Sequence, residues 1–172
     1  MKRCLLLLSL VFVACAFNNR SADVRPTTVS TPRATAWHEA DRLFHSEPDW
    51  LGGDSAYSVD LGGGRVVWLF GDSFIATSPR RIRSESTMVH NSVAIQRGYD
   101  PSRATMRFFW DKTAAGPRES FREEGSPEYL WPGHGVRLGD RLLLFFQRVR
   151  AVNGGLGFEN AGWRAIVVEN PD

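Results

Sequence analysis

YSVDLGGGRVVWLFGDSF, residues 57–74, is the stretch on which the fold turns. Residues 55–60 alternate weakly, Leu61 to Gly64 supplies a glycine turn, and Arg65 to Phe70 is a run of Val, Trp, Leu and Phe. Two such segments around a glycine turn predict a β-hairpin whose second strand is buried. Gly71-Asp72 then places a carboxylate where the apolar strand meets a polar loop, at the rim of a sheet. Upstream, Asp54 stands in Gly52-Gly53-Asp54-Ser55, ahead of the first strand. One aspartate precedes the hairpin's first strand and the other follows its second, so both lie at the same end of one sheet. Two carboxylates brought together in this way are the minimum equipment for cleaving a glycosidic bond. The strand before Asp72 is the more apolar, which makes Asp72 the better fixed and the choice for nucleophile or base. Retaining and inverting chemistry both stay open.

The pattern recurs along the chain. His90 to Gln96 and residues 104–110 read as further strands. Gly135 to Leu138, a Gly139-Asp140 turn and Arg141 to Val149 form a second hairpin, and Gly162 to Glu169 offers one more strand. Strand, glycine turn and buried strand recurring over some tens of residues is the sequence pattern of propeller blades. Only Thr35 to His45 has the character of a short helix. The expected fold is all-β, a partial β-propeller of about two blades. Propellers close with roughly four or more blades, so the chain is expected to be the front part of a longer protein.

The N-terminus reads as a sorting signal. Lys2 and Arg3 are followed by the apolar run Leu5 to Val13, which is too short to span a bilayer. Phe12-Val13-Ala14-Cys15 is similar to a bacterial lipobox, with Phe12 where leucine is usual. The expectation is a signal peptide over 1–14, a lipidated Cys15, a flexible linker over 15–36 and a β-domain over 37–172. The product would be secreted across the inner membrane and anchored by lipid at the cell envelope. Lys2 and Arg3 account for the whole charge excess, leaving 19 basic and 19 acidic residues after position 14. No basic surplus remains to suggest nucleic acid. The cysteines are Cys4 and Cys15, so the body offers no disulfide, thiolate metal site or cysteine nucleophile.

Trp50-Leu-Gly-Gly-Asp-Ser-Ala-Tyr-Ser-Val59, then Gly64 to Phe74, then His90-Asn-Ser-Val-Ala-Ile-Gln96 resembles a family of secreted five-bladed β-propellers known as domain of unknown function 4185. That family is similar to the furanosidase propellers and contains endo-D-arabinanases acting on mycobacterial arabinan. Tyr129-Leu-Trp-Pro-Gly-His-Gly-Val-Arg-Leu138 and Leu142 to Val149 also look like its second blade. The likeness runs from about Trp50 to the end and covers about the first two-fifths of a family domain. It implies a glycoside hydrolase fold with Asp54 and Asp72 projecting into a central funnel, and a furanose-rich polysaccharide as substrate.

Four further residues are candidates for holding sugar. His134, between two glycines, either faces the funnel or decorates a surface turn. Asn91 either hydrogen-bonds substrate or ends a loop. Trp50 and Trp131, expected in loops beside the rim, either stack on sugar rings or plug gaps between blades. Arg80, Arg81 and Arg83 form a basic cluster that either binds an acidic glycan or phosphate or is a solvated loop. His38, His45 and His90 lack metal-ligand spacing, and no phosphate loop or nucleophile elbow is present. No metal or cofactor is expected. The leading reading is a glycoside hydrolase-like envelope protein. Its competitors are a carbohydrate-binding lipoprotein without turnover and an inactive truncated fragment.

Overall fold

The structure is a computed structural model that describes residue 31 and residues 33–171. The signal peptide, Cys15 and nearly all of the linker lie outside the described residues. The chain divides after Thr35, and the unit that begins at Ala36 is the one described below.

That unit opens with helix α1 (His38–Phe44), followed by twelve strands. These are β1 (Trp50–Gly53), β2 (Tyr57–Gly62), β3 (Arg65–Phe70), β4 (Ser73–Ala76), β5 (Ser86–Val89) and β6 (Ser92–Arg97). They continue as β7 (Thr105–Phe109), β8 (Asp111–Thr113), β9 (Gly116–Arg118), β10 (Tyr129–Leu138), β11 (Arg141–Ala151) and β12 (Phe158–Glu169). A four-stranded antiparallel sheet has the order β2-β3-β6-β7. A second antiparallel sheet runs β10-β11-β12, and a small one runs β1-β4-β5. The small pair β8-β9 completes the set. None of the sheets closes on itself. The four-stranded sheet is a blade, and the second sheet, one strand shorter, lies beside it as the next. This is the all-β, partial propeller-like architecture that the sequence predicts.

Alternation along the strands explains the layering. On β3, Val67 and Leu69 face one way while Trp68 and Phe70 face the other, as the two-residue period of a strand requires. The first face packs Val59, Leu61, Val67 and Leu69 against Leu130, Leu142, Leu144 and Phe146 of the second sheet. The opposite face packs Phe70, Ala94, Met106 and Phe108 with Leu43 of α1, Trp50 of β1, Ile75 and Val89. The first blade is therefore covered on both faces. The outer face of the second is not: Val136, Leu138, Phe145, Trp163 and Val167 stand exposed there, Trp163 at 64%.

The structure departs from the sequence reading in three places. Helix α1 is shorter than Thr35 to His45, and only Leu43 is buried along it. The polar segment before His90 conceals β5, which pairs with β4. Trp50 is not in a rim loop. It lies on β1 at 8% exposure, stacked on Phe108 at 4.6 Å, with its indole N–H donating to Ser92 Oγ (3.0 Å).

Candidate functional site

The loop after β3 and the loop before β2 meet where the hairpin ends. Asp54 N–H donates to Asp72 O (3.3 Å), and Gly71 N–H donates to Asp54 O (3.0 Å). These bonds join the two loops backbone to backbone, so the aspartates are neighbours by construction. A Cβ at position 71 would overlap Asp54 Oδ1 and lie 2.9 Å from Ser55 Oγ. Gly71 thus gives the Asp54 carboxyl its place. Immediately after Asp54 the backbone is left-handed at two consecutive non-glycine residues, Ser55 (φ 67°) and Ala56 (φ 48°). Such conformations cost free energy and concentrate at sites where a side chain must be aimed.

Beneath the pair runs a buried hydroxyl relay. Ser73 Oγ donates to Gly71 O (2.7 Å) and shares a hydrogen bond with Ser92 Oγ (2.7 Å), which also accepts from Trp50. Both serines are fully buried. An unmade hydrogen bond here would cost about 1–3 kcal/mol, so the relay fixes the Gly71–Asp72 turn against the core.

The second sheet completes the site. Trp131 on β10 donates its indole N–H to Asp72 Oδ1 (2.9 Å). His90 Nδ1 approaches the same oxygen at 3.2 Å, and its ring stacks on Tyr129 with centroids 3.7 Å apart and planes 12° apart. Trp131 also meets Phe158 edge to face at 4.7 Å. Asp72 and His90 retain 26% and 28% side-chain exposure, so the carboxylate is held without being sealed. Burial and the Asp72 charge together push the Tyr129 phenol above its ordinary value, burial being the larger cause. Both aspartates line a cleft of about 450 Å³. Leu51, Phe74, Met88 and Arg83 contribute to its walls. Among the described residues no group of three or more His, Cys, Asp or Glu converges as a metal site would require.

The structure treats the four sugar-holding candidates differently. Trp131 touches Asp72. Trp50 is core. Asn91 is 1% exposed and its amide is fully engaged. Nδ2 donates to Phe121 O (2.8 Å) and Leu130 O (2.9 Å), while Oδ1 accepts from Phe121 N–H (2.7 Å). It ties the first blade to the second, with both amide N–H donors used and the side chain buried out of a sugar's reach. His134 is exposed on β10, its Nδ1 folded back on the Gly135 peptide N–H (2.7 Å), 5.9 Å from the Tyr57 ring. It contacts neither aspartate and does not line the cleft. His90 and Tyr129 are the residues sequence reading passed over. Their signal was weak but present: Tyr129 and Trp131 sit two apart on one strand, and His90 stands in the short connection between β5 and β6.

The fold and site define a propeller-type, all-β domain with a paired-aspartate cleft at the end of its first blade. Residues 38–172 match the family model of the domain of unknown function DUF5005, and the chain belongs to that family. This is a different family from the one its motifs resemble. No curated protein matches the chain. Among solved structures it is similar to one described as "a putative hydrolase from Bacteroides ovatus ATCC 8483", with a TM-score of 0.64 and 16% identity. The match covers 78% of this chain and 39% of that one. This chain therefore spans about two-fifths of that structure's length, and the likeness is one of fold.

Proposed function

We propose that this domain is the aspartate-bearing front of a secreted glycoside hydrolase, held at the cell envelope through a lipid on Cys15. The observation that carries this reading is the pairing of Asp54 and Asp72 by backbone hydrogen bonds at the mouth of one cleft. The resemblance of these motifs to arabinanase propellers supports a furanose-rich, arabinan-type polysaccharide as substrate. The hydrolase description of the Bacteroides ovatus protein agrees with bond cleavage by water.

In this scheme Asp72 is the nucleophile or base, because Trp131 and His90 gather on Oδ1 and leave Oδ2 to act. Asp54, whose Oδ1 meets Ser55 Oγ (3.3 Å), is the remaining carboxyl of the pair and takes the role of acid. Its proton passes to the glycosidic oxygen as the C–O bond breaks. Asp72 Oδ2 either bonds to the anomeric carbon, to be displaced by water, or takes a proton from the water that attacks directly.

The test is release of reducing ends from arabinan and a panel of other polysaccharides by the full chain. Asp54→Asn and Asp72→Asn should each lower turnover by about 10²- to 10⁴-fold while polysaccharide binding persists. Binding without turnover in the unaltered chain would favour a carbohydrate-binding role instead. Absence of both would sink the reading.

A further inference from the structure

The three arginines of the loop after β4 have unequal fates. Arg80 Nη1 pairs with Glu85 Oε1 (3.0 Å), and Arg81 Nε pairs with Asp49 Oδ1 (3.1 Å). Arg83 has no carboxylate partner among the described residues. Its guanidinium lies over the Phe74 ring, with Cζ 3.8 Å from the centroid, and it lines the same cleft as Asp54 and Asp72. Arg83 begins the short 3₁₀ turn Arg83–Glu85, whose backbone is tied down by Ser86 Oγ donating to Arg83 O (2.7 Å). Both the main chain and the side chain are therefore placed.

Chemistry then selects the ligand. A guanidinium stacked on an aromatic ring uses its flat face there and keeps its N–H edge free for an anion, which it binds in forked geometry. The cleft already holds two carboxylates, so an anionic substrate would be repelled unless a cation faced it. Among the described residues, Arg83 is the one cationic side chain on the cleft wall. A neutral sugar would make no use of that charge.

We infer that Arg83 selects a glycan bearing an anionic substituent, a carboxylate or a phosphate, on a sugar bound beside the two aspartates. This rests on the glycosidase reading of the cleft and specifies its substrate class. Phe74 and Met88 supply the apolar surface for the ring of that sugar, and Arg83 reads its charge.

Binding can be separated from turnover in the Asp72→Asn chain. Calorimetric titration would use three matched arabinose-containing oligosaccharides: one neutral, one bearing a uronate and one bearing a phosphate. One or both anionic ligands should bind about five- to tenfold more tightly than the neutral one, with a preference that weakens as salt rises. Whichever anionic ligand wins identifies the substituent. Adding Arg83→Gln should erase the preference while leaving neutral binding in place, and Arg83→Lys should keep part of it. Arg80→Gln, at a site already neutralised by Glu85, should leave it intact. Equal affinity for neutral and anionic ligands, or a preference that survives Arg83→Gln, overturns the inference and spares the glycosidase reading. Failure to bind any of the three overturns both.

Discussion

Asp72 Oδ1 takes an indole N–H from the second sheet and faces an imidazole from the β5–β6 connection, whereas Asp54 Oδ1 has only the hydroxyl of Ser55. Tyr129 reports on this arrangement, because its phenol is raised first by burial and then by the Asp72 charge. A raised phenol means that the folded chain holds the proton more tightly than the unfolded chain. This contribution to stability is complete below the ordinary phenol range and is lost as pH climbs through the raised value. Ultraviolet titration in a Tyr57→Phe, Tyr99→Phe background should therefore show Tyr129 ionising above an ordinary tyrosine. Adding Asp72→Asn should move the midpoint down, though not all the way, since burial remains. No movement on that substitution would show that Asp72 does not sense the Tyr129–His90 stack. Little of this was legible in the sequence. Asp54 and Asp72 announced themselves by sitting after glycines at strand ends. The partners of Asp72 come from residues 18 and 59 positions away, and that pairing is a property of packing.

At the scale of elements, the hairpin β2–β3 makes the site and Gly71 decides its geometry. A Cβ there meets the tip of a flexible side chain, Asp54, and not a backbone atom. Gly71→Ala should therefore cost only about 1 kcal/mol of stability in urea denaturation. Because the Asp54 carboxyl must swing away, turnover should fall about a hundredfold, the penalty for a misplacement of about 1 Å. Equal losses of stability and activity would mean that Gly71 serves the fold and does not aim Asp54. The hairpin was readable from its glycine turn and its apolar second strand. The four-residue strands β1, β4 and β5 were not, because so short a segment shows no period. Trp50 was misplaced for the same reason: a tryptophan beside Gly52-Gly53 looks like rim, and only the three-dimensional stack with Phe70 and Phe108 makes it core. Asn91 was ambiguous because an amide suits a sugar and a backbone equally well.

For the molecule as a whole, the site is shared between two sheets that meet through the apolar layer of Val59, Leu61, Val67, Leu69, Leu130, Leu142, Leu144 and Phe146. Trp131 and Tyr129 reach Asp72 and His90 only while that layer holds the sheets in register. Asn91 reinforces it from the first blade by donating to Phe121 O and Leu130 O. Gly135 allows the close approach, since a Cβ there would sit 2.6 Å from Leu144 Cδ2 and 3.1 Å from Val59 Cγ2. Phe146 is fully buried in this layer and packs on Phe121 at 5.1 Å. Phe146→Ala removes its ring from the contact between the sheets and should cost about 3–5 kcal/mol. The loss should also be felt at the rim: with the second sheet loosened, the Tyr129 titration midpoint should drop towards that of a free tyrosine, as is expected in part for Asp72→Asn. Burial, the larger cause of its shift, depends on that packing. If stability falls while the Tyr129 midpoint stays where it was, the rim is held by its own hydrogen bonds. The cleft could then be engineered independently of the layer between the blades.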